Sequence, residues 1–264
     1  MPKVLFCGLK NEYGKVERGV SYEFTNFYET LQRMNGVDVD SFFFDIELEK
    51  AGSRELTNVR LEEKVEGSKP DLVFCFLFTN QLLPETIRRI SQKTKTFNWF
   101  ADDHWRYPLY SKYWAEFFTA ISTTDSLAFR LYKKQGIKNV IKTQWAANHF
   151  LFKPQTQSAY QKTWEISFLG QNFGVRGQYL DFLKKNNIPV TGVGRGWEEN
   201  YNSVQEMLNV FSFSKISLNF TETSYVGVFS FLKSFIKFLL TVDPTGKWVG
   251  WKLDNNFQDK NLSK

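Results

Sequence analysis

Short runs of β-branched and aromatic residues recur along the chain, and most are followed by a segment with helical spacing. In the first 150 residues the runs are 3–9 (KVLFCGL), 37–44, 71–78, 94–100, 118–124 and 139–145. Several are apolar on both faces, the pattern of central parallel strands covered on each side by crossover helices. Helical patterns fall near 20–35, 84–93, 108–116 and 126–135, the last stopped by Gly136. A polar stretch containing a proline, 152–163, reads as a linker. Beyond it the alternation restarts with strands at 164–170, 188–194 and 215–220, and helices at 177–187 and 203–214. The expected fold class is therefore α/β, with two tandem Rossmann-like units on parallel sheets, the second smaller and incomplete. The expected boundaries are 1–150 for the first domain, 151–163 for the linker and 164–264 for the second domain.

Residues 228–242 (VFSFLKSFIKFLLTV) set Val228, Phe231, Leu232, Phe235, Phe238, Leu239 and Val242 opposite Ser230, Lys233, Ser234 and Lys237, an amphipathic helix. Such a helix docks on a domain or lies on an anionic membrane surface, so peripheral membrane contact is one expectation. The last residues, 254–264, read as frayed.

An apolar fraction of 42% with 27 Phe fits a packed globular protein. The formal charge of +6 favours anionic partners. The basic residues are scattered beyond pairs such as Arg88–Arg89, with no stripe for nucleic acid, so a small anionic ligand fits better. Cys7 and Cys75 lie inside strand-like runs and read as buried thiols. No signal-peptide pattern opens the chain and no apolar stretch is long enough to cross a bilayer, so the expected location is cytoplasmic.

Ligands of open parallel sheets bind beyond the carboxyl ends of the strands. That rule selects Gly8 and Asn11, Asn80, the segment Asp102-Asp103-His104, Asp125 and His149 in the first unit. In the second it selects Gly170, Gln171 and Arg176 of GQNFGVRG, Gly194, Gly196 and Trp197 of GVGRGW, and Asn219. GQNFGVRG opens a helix after a strand, as a phosphate loop does, but an ordinary glycine turn has the same pattern. Trp197 is either a stacking face or a core residue. A carboxylate beside an imidazole makes Asp102, Asp103 and His104 candidates for a catalytic base, although adjacent side chains in extended backbone point to opposite faces. In the competing reading both aspartates cap neighbouring backbone and His104 packs on Trp105. Two histidines without a cysteine cluster offer no metal-ligand spacing.

The stretches NWFADDHWR, TTD, YKKQGIKNVIKTQWAANH, ISFLGQNFGVRGQYL, GVGRGW and EMLNVFSFSKISLNF, in this order over roughly 95–220, resemble the CgeB-like (spore maturation protein) branch of GT-B fold glycosyltransferases. The resemblance implies two Rossmann-like domains with an acceptor on the first and a nucleotide-diphosphate sugar on the second. Phosphate contacts would fall near Gly170, Gln171 and Arg176, and base and ribose contacts near Gly194–Trp197 and Asn219. It implies no required cofactor or metal, the donor sugar and a hydroxyl acceptor being the partners. After Asn219 the chain departs from the family: no Arg-x-Phe-Glu segment follows, and Glu222 does not match its position. The alternative expectation is a catalytically impaired glycosyltransferase-like protein acting as a binding module.

Overall fold

The computed structural model describes residues 1–77, 79–153, 163–201 and 203–220. The expected helix at 228–242, most of the expected linker and the segment that departs from the family lie outside these residues. The chain divides into two compact units, one covering Met1–Asn148 and the other beginning at His149.

The first unit carries β1 (Lys3–Gly8), β2 (Asp38–Phe43), β3 (Leu72–Cys75), β4 (Lys95–Phe100), β5 (Ala120–Thr123) and β6 (Val140–Lys142). Its helices are α1 (Glu29–Gln32), α2 (Phe44–Ala51), α3 (Arg54–Ser68), α4 (Pro84–Ser91), α5 (Asp103–Arg106), α6 (Lys112–Trp114) and α7 (Ser126–Lys134). All six strands are parallel, in the order β2-β1-β3-β4-β5-β6. The order reverses at β1, which lies between β2 and β3, and open parallel sheets in general bind ligands beyond the carboxyl ends of the strands at such a switch point.

On one face of the sheet Phe6 and Phe74 pack against the rings of Tyr28 and Phe27; on the other a larger core forms. Leu5, Cys7, Val73, Cys75 and Ile121 from the strands pack with Leu61 and Val65 of α3, Ile87 and Ile90 of α4, and Tyr132 of α7. The two cysteines are free and buried, as expected, and burial with Cys75 alongside pushes the Cys7 thiol up. Ser53 caps α3 by accepting Leu56 N at 3.2 Å, and Asp125 caps α7 by accepting Ala128 N at 2.6 Å.

The second unit carries β7 (Trp164–Leu169), α8 (Arg176–Lys185), β8 (Val190–Val193), α9 (Val204–Phe213) and β9 (Ser214–Leu218). Its three parallel strands have the order β8-β7-β9, again reversing at the first strand. Phe168, Leu180 and Val190 form its core. Among the described residues the nine strands fall in two separate sheets, as the tandem α/β pattern predicts.

Two features depart from the sequence reading. Between β2 and β3, where no helix is expected, the chain forms α2 and α3. The expected helix at 108–116 is a broken succession of α5, a π segment (Tyr107–Ser111), α6 and a 3-10 turn (Ala115–Phe117). Pro108 near the start of that π segment lacks an N–H, which accounts for the loss of a regular ladder there.

Candidate functional site

In the first unit the candidate residues sit at the carboxyl edge, yet most are committed to structure. A Cβ on Gly8 would lie 2.8 Å from the buried Phe6 ring, so glycine is required there by packing. Asn11 gives its backbone N–H and its Nδ2 to Asp45 Oδ2 at 3.0 and 2.8 Å, and Lys10 N reaches Asp45 Oδ1 at 2.9 Å. One buried carboxylate at the start of α2 thus holds the loop after β1. Asn80 follows β3 and keeps a buried Oδ1 without a hydrogen bond. Asp125 spends its carboxylate on the α7 cap. Exposed His149 lies against Phe150, the rings tilted by 37° with centroids 4.0 Å apart, and falls in the second unit.

The stretch after β4 splits. Asp102 is exposed and takes a left-handed conformation, φ 59°, without capping α5 through its side chain. That turn sends Asp103 inward: it is 2% exposed and accepts the Tyr132 hydroxyl at 3.0 Å on Oδ2. Its Oδ1 has no bond within range, although Ser111 and Thr123 lie beside the carboxylate. Burial raises the Asp103 carboxyl above its ordinary value, while the surrounding hydroxyls and Arg106 pull it back. Arg106 is itself buried, its guanidinium 4.5 Å from the Tyr110 ring centroid, and burial lowers its affinity for the proton. His104 stays exposed, edge-on to Trp105 at 6.5 Å. Only Asp102 and His104 of this trio reach solvent.

In the second unit the two glycine loops bind each other. Gly170 N donates to Val193 O at 2.9 Å, Asn172 N to Arg195 O at 2.8 Å, and Asn172 Nδ2 to Gly196 O at 3.1 Å. Gly194, at φ 130°, lies so close that a Cβ would meet the Gly170 carbonyl oxygen at 2.7 Å. The Trp197 indole lies against Gly192 and donates to Gly170 O at 2.7 Å, so the ring is engaged in the loop pair. Gln171 is exposed and its carbonyl accepts Arg176 Nη1 at 3.1 Å. The Arg176 guanidinium stands 5.4 Å from the Phe168 ring centroid, and its buried Nε has no partner. The helix it opens, α8, begins without a side-chain cap. Asn219 is exposed just after β9, next to Phe220, which packs on Phe168 and Tyr179.

Sequence reasoning passed over Glu23. It is 7% exposed, lies in the first turn of the helix entered from β1, and its Cβ is 3.7 Å from the position a Gly8 Cβ would take. Burial, with Glu12 and Asp45 adding like charge, pushes its carboxyl up to about 7, against weaker opposing bonds from its own N–H and Ser21. A serine two positions before a glutamate at a strand-to-helix loop was the available signal.

Among the described residues no group of three His, Cys, Asp or Glu side chains is placed to hold a metal ion, and no helix is long and apolar enough to cross a membrane. No family model matches the chain, and no curated protein matches its sequence. Among solved structures, the apo form of the lipopolysaccharide outer core galactosyltransferase WaaB is 12% identical, with 82% of this chain and 68% of that chain covered and a TM-score of 0.42. A UDP-N-acetylglucosamine 2-epimerase is 11% identical over 82% of this chain and 73% of its own, TM-score 0.49. The UDP-GlcNAc 2-epimerase from Methanocaldococcus jannaschii is 11% identical over 88% and 75%, TM-score 0.45.

Proposed function

We propose that the chain is a glycosyltransferase of the CgeB-like branch, working in the cytoplasm and moving a sugar from a nucleotide diphosphate to a hydroxyl acceptor. In this reading residues 1–150 serve the acceptor, 151–163 link the domains, and 164–264 serve the donor. The observation that carries the reading is the start of α8. There Arg176, with a buried and unpartnered Nε, stands at an uncapped helix N-terminus beside the Gly170 turn, at the edge where the strand order of the second sheet reverses. Open N–H groups, the helix dipole and a guanidinium together suit a diphosphate. They would also stabilise the charge that develops on the leaving group without a metal. On the acceptor side Asp102 and His104 are the solvent-facing members of the original trio, whereas Asp103 supports the loop from within.

The test is calorimetric titration with UDP, GDP, ADP and their sugar conjugates, comparing the wild-type protein with Arg176→Ala. Binding of one diphosphate, weakened roughly ten- to a hundred-fold by the substitution, supports the reading. Equal binding by both proteins removes Arg176 from the site. The missing Arg-x-Phe-Glu segment favours a second reading, a binding module without turnover. Donor binding with no sugar release in the presence of any acceptor separates that reading from the first.

A further inference from the structure

We propose that the first unit carries a saccharide-binding site built on Tyr22, Phe27, Trp99, Trp145 and Ser122. Its role as the acceptor site rests on the transferase reading above; the binding itself needs no donor. The four rings close a circuit, with centroids 6.2 Å apart from Tyr22 to Phe27, 5.1 Å from Phe27 to Trp99, 5.9 Å from Trp99 to Trp145 and 5.6 Å from Trp145 back to Tyr22. Phe27 and Trp99 are half-buried, whereas Tyr22 and Trp145 are each 43% exposed. Large rings clustered in the open mark an interaction site, as single exposed residues do not.

The cluster lies at the edge of the sheet where ligands bind. Trp99 is the next-to-last residue of β4, Tyr22 starts the helix entered from β1, and Trp145 follows the end of β6. Trp145 is anchored from both sides. Thr143 N donates to Thr123 O at 3.0 Å, and the buried Asn148 donates through Nδ2 to Thr25 O at 3.3 Å and to Thr30 Oγ1 at 3.0 Å. A ring set in place beforehand loses little freedom when a ligand arrives.

Two polar groups beside the rings give the second observation. Trp99 and Ser122 are paired across β4 and β5, so their side chains leave the same face of the sheet. Trp99 Nε1 and Ser122 Oγ are both buried without a hydrogen-bond partner, and Ser122 is 1% exposed. Such groups are few in native proteins, and each calls for a partner from outside the chain. The row continues from Ser122 to Ile141 of β6, which is 52% exposed, so it opens to solvent on that side.

A pyranose ring matches this surface. Its C–H face packs on indole and phenol rings, while its hydroxyls accept from the indole N–H and exchange hydrogen bonds with the serine. The charged groups that Tyr22 meets are acids, Glu12 through the Tyr22 N–H and Glu23 next in sequence, which disfavours an anionic ligand. Quaternary ammonium ions also suit aromatic clusters, but they have no atom that accepts a hydrogen bond from either group.

The experiment is calorimetric titration of the full chain, without nucleotide, with cellobiose, maltose, lactose and N,N′-diacetylchitobiose, and with choline as a control. At least one disaccharide should bind saturably. Trp145→Ala should weaken that binding roughly ten-fold or more, and Trp145→Tyr, which keeps a ring, should recover part of it. Ser122→Ala should weaken it roughly three- to ten-fold without lowering the melting temperature, because the hydroxyl it removes has no partner in the chain. No disaccharide bound, equal binding by Trp145→Ala, or choline bound in place of the sugars overturns the site. A disaccharide bound by a protein that binds no UDP, GDP or ADP upholds the site and refutes the transferase reading, whereas diphosphate binding without disaccharide binding overturns the site alone.

Discussion

Replacing Glu23 by glutamine should make the first unit more stable, and only above acid pH. In the folded chain the carboxyl holds its proton up to about 7, against an ordinary value of 4.5, because it is buried beside Glu12 and Asp45. Below pH 4.5 the group is protonated in both folded and unfolded chains and contributes nothing to the difference. Between 4.5 and 7 the unfolded chain releases the proton while the folded chain keeps it, so stability falls as pH rises, and above 7 the loss is complete. At about 1.4 kcal/mol per pH unit, that interval is worth about 3 kcal/mol. Little is subtracted for solvent screening, since the residue is 7% exposed. Glutamine has nearly the same shape and no charge, so the variant lacks this decline. Guanidinium unfolding followed by circular dichroism should give similar midpoints for the two proteins at pH 4 and a variant about 3 kcal/mol more stable at pH 8. Parallel stability curves across this range would refute the buried-acid argument.

The stretch after β4 should divide by stability. Asp103→Ala strands the buried Tyr132 hydroxyl and should cost about 1–3 kcal/mol in chemical unfolding, whereas Asp102→Gly should gain about 1 kcal/mol by relieving a left-handed φ; equal effects would contradict the inward and outward assignment. Gly194→Ala should lower the melting temperature and weaken nucleotide binding, since its Cβ would collide with the Gly170 carbonyl at a φ that disfavours side chains, at a cost of roughly 1–3 kcal/mol. A neutral effect there would mean the two loops are not locked together. Arg176→Ala should leave the melting temperature nearly unchanged while reducing diphosphate affinity as stated above, because its hydrogen bond to Gln171 is exposed.

Local pattern was enough for the strands. Runs such as those at 3–9 and 71–78 are apolar on both faces, and double burial in a parallel sheet leaves that mark in the sequence itself. The glycine loops were legible for a similar reason: each follows a strand and precedes a change of backbone direction, and the structure sets Gly170 and Gly194 at positive φ. Helix α3 was not legible. It exposes Leu56 and Val59 by about half and buries Thr57 and Asn58, which reverses the usual amphipathic signal. Asn58 can be buried because its amide serves other segments: Oδ1 accepts Leu83 N at 2.9 Å, and Nδ2 donates to Arg54 O and Gln81 O at 2.8 and 3.4 Å. Those partners are up to 25 residues away, so no local pattern predicts them.

The site residues divide on the same line. Sequence position alone placed Asp102, Asp103 and His104 at the end of a strand, but a single left-handed residue decided which carboxylate faces inward. It named Trp197 without the means to find Gly192, the close backbone on which the indole rests. Glu23 shows the limit most clearly. A serine two positions ahead of it at a strand-to-helix loop is all that the local pattern offers, and its charge state is shifted only when folding brings Glu12 and Asp45 against it and removes water. Periodicity records what each residue does for its own strand or helix. Charge burial depends on which distant segments close over a group, and that is decided by the tertiary fold.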